Sequence, residues 1–320
     1  MVTVAVAGGT GGVGRTIVDA ILASGKHELK ILSRKPNPEV EAQLKTPVIA
    51  VDYADVEAVT RVLEENNVHT VISAISMLHL GGPPPREIEL IRAADASKTT
   101  RRMISSDWGP PHIKEHEPLL ASVGPKFLAK EELKRVKDLE TTCVQNGFFL
   151  DYYGHPNVKT HMAPAPMILD IPNDAAAIPG SGNTQAVFPH STDVARFVTL
   201  MLDLEKWDPV SYVDGDRVTW NEFLQLAQEA KGTKFNVTYD SVEKLKKGET
   251  TELPSQVAAY PYYPKEALHA MAATFGLWYE EGVLGFRAEK TLNQQFPEVK
   301  TWTVKEFLQE AWGRRSAGRR

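Results

Sequence analysis

Cysteine is almost missing from this chain: Cys143 is the single one in 320 residues, which excludes an internal disulfide framework and suits a reducing compartment. Long uninterrupted apolar runs are missing too, so no segment reads as a membrane span. There is no surplus of basic charge. The formal net charge of −5 gives no general attraction to nucleic acid or anionic lipid. Four arginines do gather between Gly313 and Arg320, but they read as a frayed, solvated tail. Internal repeats and low-complexity segments are not evident. Neither a Gly-x-Ser-x-Gly elbow nor a Walker loop occurs, which leaves hydrolase and nucleoside-triphosphatase readings without support. His112 and His116 stand four apart, but they follow Pro110 and Pro111 and lack an obvious third ligand, so a solvated loop explains them better than zinc does. Asn236, Val237 and Thr238 spell a glycosylation sequon that a cytosolic protein does not use. A strand expected from Val2 leaves no room for a leader, and the expected location is therefore cytoplasmic.

What is present is an ordinary globular balance, 42% hydrophobic and 24% charged residues, on a chain long enough for a nucleotide-binding core with a smaller lobe attached. In the first half, short apolar runs alternate with amphipathic stretches, the pattern of a doubly wound α/β fold with a parallel sheet between helical layers. Strands are expected at 2–7, 28–33, 48–52, 70–74, 102–106 and 148–153, with helices starting near Gly14, Asp55, Pro85 and Pro125. From His155 to Thr184 a stretch rich in Pro, Ala, Gly and Asn reads as loops and short pieces lying over a site. A helix is expected from Thr192 to Leu204 and a short returning strand from Tyr212 to Asp214. Thr219 with Glu222, and Thr303 with Glu306, have the spacing of capping boxes that open helices. These features divide the chain into a Rossmann domain at 1–154, to which 187–215 returns, and a mostly helical substrate lobe at 155–186 and 216–320.

Between the first strand and first helix stands GGTGGVG, in which Gly8, Gly11 and Gly14 recur every third residue. Directly after a buried strand and opening a helix, such a series lets a pyrophosphate approach backbone N–H groups. Gly8, Thr10, Gly11, Gly12, Val13 and Gly14 are thus expected to bind a dinucleotide. About 20 residues further on, an NAD-binding fold places an acidic residue against the adenosine ribose. Here Ser33, Arg34 and Lys35 occupy that place, and a hydroxyl with two cations suits a 2′-phosphate. NADPH (or NADP+) is accordingly the expected cofactor. Asp52 either accepts from the adenine amino group or caps the VDYAD turn. Ala74, Ile75, Ser106, Lys130 and Phe148 complete the expected cofactor contacts, with no metal.

Short-chain dehydrogenases commonly use a Tyr-x-x-x-Lys pair on the helix after the fifth strand. That pair occurs nowhere in this sequence. The matching helix carries Lys126-Phe-Leu-Ala-Lys130, a lysine where the tyrosine would be. Taken alone, Lys126, Lys130 and Lys134 recur every four residues and read as one solvated stripe. Ser105, Ser106, Asp107 and Trp108 lie at the carboxyl end of the fifth strand, where ligands of open sheets gather, or they cap the turn that follows. Phe148, Phe149, Asp151, Tyr152 and Tyr153 form an aromatic run that reads either as a buried strand or as the wall of a pocket for a flat substrate. His155 and His161 are alternative proton donors from the next loop.

Together these segments resemble the atypical short-chain dehydrogenases of the NmrA-like and isoflavone reductase-like group, its fungal-type members above all. The likeness runs over most of the chain. GGTGGVG, ISSDWG at 104–109, KFLAKEELKRV at 126–136, NGFFLDYYG at 146–154, FPHSTDVARFV at 188–198 and VDGDRVTWNEFLQLA at 213–227 carry it. The resemblance implies NADPH-dependent reduction of a small aromatic, enone or ketone-type metabolite, with Lys130 as the residue that assists hydride transfer. Trp108, Phe149, Tyr152, Tyr153 and His155 are the expected substrate contacts, and the molecule a monomer or homodimer. The same resemblance carries two other readings. One is an NADP(H)-sensing regulator that binds a transcription factor without catalysing anything; the other is a reductase-like fold that performs a redox-neutral step or only binds a ligand.

Overall fold

The computed structural model describes residues 1–78, 84–165, 167–261 and 264–313, so the arginine-rich end of the chain from Arg314 lies outside the described residues. Two compact units form from interleaved segments. The first takes Met1–Gln145, Ser191–Val213 and Lys290–Val299, and the second takes Asn146–His190, Asp214–Glu289 and the chain from Lys300.

In the first unit the chain runs through β1 (Thr3–Ala7), α1 (Gly12–Ser24), β2 (Glu28–Ser33), α2 (Pro38–Leu44), β3 (Val48–Ala50), α3 (Val56–Glu65), β4 (Thr70–Ser73), α4 (Glu87–Ala96), β5 (Arg102–Ser105), α5 (Val123–Leu133), β6 (Glu140–Gln145) and α6 (Ser191–Met201). A seventh strand, Val210–Tyr212, joins β6. The sheet order is Val210–Tyr212, β6, β5, β4, β1, β2, β3, and each pairing is parallel. Strand order reverses between β1 and β4, where such sheets open a crevice at the strands' carboxyl ends. Central strands covered on both faces need apolar residues at successive positions, and Val4, Ala5, Val6 and Ala7 of β1 are all fully buried. On one side α1 inserts Ile17, Val18 and Ile21 and packs on α6. On the other, Leu63 of α3, with Leu90 and Ile91 of α4, joins the core that reaches Val71 and Met103.

The expected strand at 148–153 is not a strand. The sixth strand lies earlier, at Glu140–Gln145, where its sequence ETTCVQ is too polar to stand out although Thr142, Cys143, Val144 and Gln145 are buried. Gly147 then turns the chain with a φ of 82°. The amides of Phe148 and Leu150 donate to the carbonyls of Val187 and Pro189, and Leu150–Tyr153 winds into a 3₁₀ turn. Helix α2 also escaped the periodicity because none of its residues is buried. It is set instead by Pro38 in its first turn and by the Asn37 side chain, which accepts from the Val40 amide. The helix expected at 192–204 ends at Met201, and the returning strand expected at 212–214 lies at Val210–Tyr212.

The second unit holds more sheet than the expectation of a mostly helical lobe allowed. Leu169–Asp170, Ala175–Pro179 and Asn236–Asp240 form a three-stranded sheet, inside and beyond the segment read as loops. Gln185–Phe188 pairs antiparallel with Asp216–Thr219. Both expected capping boxes form, Thr219 with Glu222 before the helix Trp220–Lys231 and Thr303 with Glu306 before Val304–Trp312. An aromatic core binds this unit: Tyr153, Phe188, Trp220, Phe223 and Tyr279 meet mostly edge to face. Among the described residues no helix is long and apolar enough to cross a membrane.

Candidate active site

The glycine loop makes the tightest approach in the first unit. Gly8 has a φ of +75°, and a Cβ there would lie 2.7 Å from the Ala74 carbonyl oxygen; at Gly14 it would lie 2.4 Å from the Gly8 carbonyl oxygen. These two glycines let the loop, the start of α1 and the end of β4 close on one another. Gly11 and Gly12 do the reverse, since nothing stands within 4 Å of a Cβ at either. Helix α1 begins at Gly12, two residues before its expected start. Its N-cap Gly11 offers no side-chain acceptor, and its first turn has no acid. The free N–H groups and the positive end of the helix dipole therefore face an open cradle, the chemistry a pyrophosphate requires. Thr10 and Val13 belong to the same loop and first turn. The set fits a dinucleotide.

Beyond β2, Ser33 is half-buried while Arg34 and Lys35 are exposed. Among the described residues neither cation is engaged in an ion pair or hydrogen bond, so both are available to a phosphate. Asp52 Oδ1 accepts from the Ala54 amide at 2.9 Å, which serves the turn, and Asp55 caps α3 by accepting from Ala58. Across the switch point, Ser106 donates from Oγ to the Ile75 carbonyl at 2.8 Å. The Trp108 indole N–H donates to the Ser73 carbonyl at 3.0 Å. The ends of β4 and β5 are thus pinned together where Ala74, Ile75 and Ser106 lie.

Under them sits a group the sequence reading passed over. Glu87, at the start of α4, looks like any acid favoured by a helix N-terminus, yet it is buried. Its carboxyl accepts from Ser73 Oγ, Ser105 Oγ at 2.8 Å and the Ser106 amide at 2.9 Å. Burial pushes this carboxyl above its ordinary value, against the hydrogen bonds from the two serine hydroxyls and the Ser106 amide and with help from the Asp107 charge. A raised acid stabilises the fold fully below its unfolded value of 4.5, and that contribution is lost as pH rises through the folded value. Glu87→Gln, which cannot ionise, is therefore expected to gain stability relative to the natural protein as pH is raised from 4.5 towards neutrality. Denaturant unfolding at several pH values measures the difference; one that does not change with pH refutes the buried acid.

Asp107, at the carboxyl end of β5, organises the lysines. It accepts from Lys130 Nζ at 2.9 Å and faces Lys126 Nζ at 3.4 Å, with side-chain exposures of 3% for Asp107, 10% for Lys126 and 26% for Lys130. Gln145 Nε2 donates to it at 3.1 Å from β6. Burial alone would raise the Asp107 carboxyl, but the Lys126 and Lys130 ammonium groups, with the hydrogen bonds from Lys130 and Gln145, outweigh it and hold the carboxyl below its usual range. The stripe reading of the three lysines is corrected by this geometry. Lys134 alone is solvated, paired with Glu131, while Lys126 and Lys130 turn inward because one buried carboxylate draws both. Their four-residue spacing on α5 was the available signal; which carboxylate they would meet was not. The solvated loop expected for the histidines is corrected too. His116 is buried, its Nδ1 lies 3.4 Å from that of His112, and burial together with Lys126 lowers His112 to about 3. Among the described residues no cluster of His, Cys, Asp or Glu could hold a metal.

The remaining expected contacts belong to the second unit. Phe148, expected along the cofactor, is buried against Tyr152, Tyr153, Phe275 and Tyr279. Phe149 is buried as well and meets Tyr152 edge to face. Tyr152, Tyr153 and His155 come together on a cavity of about 460 Å³, which Leu169, Ala258 and Ala259 also line. Burial raises the Tyr152 hydroxyl, helped by the Asp151 charge, so it stays neutral. His155 Nε2 lies 2.7 Å from the Met162 carbonyl oxygen, which can only accept, so Nε2 is the donor of this pair. Asp151, which receives Thr160 Oγ1 at 2.7 Å, is committed to structure.

A parallel sheet with a glycine loop at the first strand and a crevice at its switch point defines a Rossmann-type dinucleotide-binding fold. The chain belongs to the NmrA-like family, whose model matches residues 2–308. It is 36% identical over 302 residues to the oxidoreductase BOA1 of Botryotinia fuckeliana, covering 93% of this chain and 96% of that one. With an isoflavone reductase homolog of Solanum tuberosum it shares 27% identity over 274 residues, 80% of this chain and 83% of the other. Among solved structures, AtPrR2 with NADP+ and (+)pinoresinol has the same fold, with a TM-score of 0.74 at 22% identity over 96% of this chain and 98% of that one. The sequence relatives support an oxidoreductase, and the solved structure shows the shared fold.

Proposed function

We propose that the protein is an NADPH-dependent reductase that delivers hydride to a small aromatic, enone or ketone-type metabolite, with Lys130 at the reacting atoms. The observation that carries this reading is the Lys130 ammonium, held 2.9 Å from buried Asp107 yet still partly exposed at the carboxyl end of β5. Backbone donors from Gly8 to Gly14 would hold the pyrophosphate, Ser33, Arg34 and Lys35 the 2′-phosphate, and Ala74, Ile75 and Ser106 the far half of the dinucleotide. When bound, the cofactor supplies the hydride. The chain supplies the rest. Asp107 keeps Lys130 in one orientation, and Lys130 offers a cation and N–H donors to the enolate or alkoxide oxygen that develops as hydride arrives. With no tyrosine four residues before it, Lys130 is also the group from which that oxygen takes its proton. Within the second unit, the cavity's alanines and leucine suit a flat, weakly polar ring, with Tyr152 and His155 offering hydrogen bonds.

The test is a titration with NADPH and NADH, followed by nicotinamide absorbance against quinones, enones and aromatic ketones. Tighter binding of NADPH and its consumption with one of these classes is the expected result. Binding without consumption by any of them would favour the NADP(H)-sensing regulator, whose partner is a transcription factor. If neither nucleotide binds, both readings are lost.

A further inference from the structure

Lys126 is a buried cation of the first unit that the proposed chemistry does not use. Its aliphatic stem is buried on α5, and its ammonium faces Asp107 Oδ1 while Lys130 takes Oδ2. Gly109, with a φ of +149°, lies beside it, and a Cβ there would stand in ordinary contact, 3.5 Å from Lys126 Nζ. Two ammonium groups therefore converge on a single carboxylate. A pair needs one, so the second leaves an uncompensated unit of positive charge.

Among the described residues, the groups around Asp107 do not cancel it. From α4, Glu87 is pushed by burial towards its neutral form and spends both carboxyl oxygens on Ser73, Ser105 and Ser106. On β6, burial and the Asp107 charge push the Cys143 thiol up to about 12, so it carries no charge. From the turn after β5, His112 is lowered to about 3 by burial and Lys126 and is neutral near pH 7; its Nδ1 lies 3.4 Å from that of His116. Gln145, the other partner of Asp107, is uncharged.

The sheet order says which part of a dinucleotide meets this charge. With the pyrophosphate at the glycine loop after β1 and the adenosine on the β2 side with Arg34 and Lys35, the nicotinamide half extends over β4 and β5. The reduced nicotinamide ring is uncharged and the oxidised ring carries one positive charge. We propose that Lys126 is a specificity-determining residue for cofactor redox state: by sharing Asp107 with Lys130 it leaves a net positive site at the end of β5, which favours NADPH over NADP+. The inference rests on the proposed dinucleotide site. It assigns the second lysine a role in direction, because a site that rejects the oxidised ring takes up NADPH from a mixed pool and releases NADP+ after hydride transfer.

Calorimetric titration of the full chain with NADPH, NADP+ and 2′,5′-ADP tests this without turnover. Lys126→Met keeps the buried stem and removes the charge. It is expected to lower the preference for NADPH over NADP+ by about four- to twentyfold, the effect of one unit charge at roughly 10 Å and an effective dielectric of about 20 to 40. Affinity for 2′,5′-ADP, which has no nicotinamide, should stay within about twofold of the natural protein. Lys126→Arg, which retains the charge, should retain the preference. An unchanged preference in Lys126→Met, or an equal loss for all three ligands, overturns the proposal. Failure of the natural protein to bind even 2′,5′-ADP would instead remove the dinucleotide site itself, and the inference with it.

Discussion

Lys130→Ala is expected to lower the turnover of NADPH by about 10²- to 10⁴-fold while leaving NADPH binding largely intact. The size follows from what is removed. A positioned general acid contributes about 10²- to 10⁴-fold, and a preorganised donor aimed at a developing oxyanion about 10²- to 10³-fold. Stability should fall less than burial of its partner suggests. Losing the sole partner of a buried carboxylate costs about 3–5 kcal/mol, but Asp107 keeps Lys126 and Gln145 after the change. The variant should therefore fold, and its melting curve is the control. Turnover within about threefold of the natural protein would place Lys130 outside the chemistry and return it to a structural role.

Arg34→Ala is expected to weaken NADPH by about 10- to 100-fold and to leave NADH within about twofold. A charge-assisted hydrogen bond to phosphate contributes about 1.5–3 kcal/mol, and a guanidinium offers its donors as a planar fork. Arg34 is exposed and engaged with no carboxylate among the described residues, so its removal breaks nothing inside the fold. Lys35 remains as a point charge, which is why the loss is partial. The ratio of the two dissociation constants, measured by fluorescence titration, is the quantity to follow. An equal loss for both nucleotides would mean that Arg34 supports the loop and does not read the 2′-phosphate.

How much of this was legible beforehand differed by element. Strands β1, β2, β4 and β5 were within one residue of their expected ends because each is a short segment with a buried apolar centre bounded by turns. β6 was not, because its buried face is made of Thr142, Cys143 and Gln145, residues whose burial depends on partners such as Ser211 and Asp107 that lie far along the chain. The aromatic run after it drew the strand assignment instead. Its burial was real, but Gly147 had already turned the chain.

The sequence by itself determined the doubly wound fold and the glycine loop, the basic pair after β2 and the loss of the tyrosine from the usual pair. Each is a local fact of residue type and spacing: backbone donors at a helix start, cations in place of an acid, a lysine in place of a phenol. Only the tertiary structure decided that Lys126 and Lys130 share Asp107, that Glu87 is a buried acid beneath β4 and β5, and that Tyr152, Tyr153 and His155 line one cavity. The reason is that a side chain's charge state and task depend on burial and on partners brought from other strands and helices. In one dimension, a lysine stripe and a lysine cluster have the same spelling.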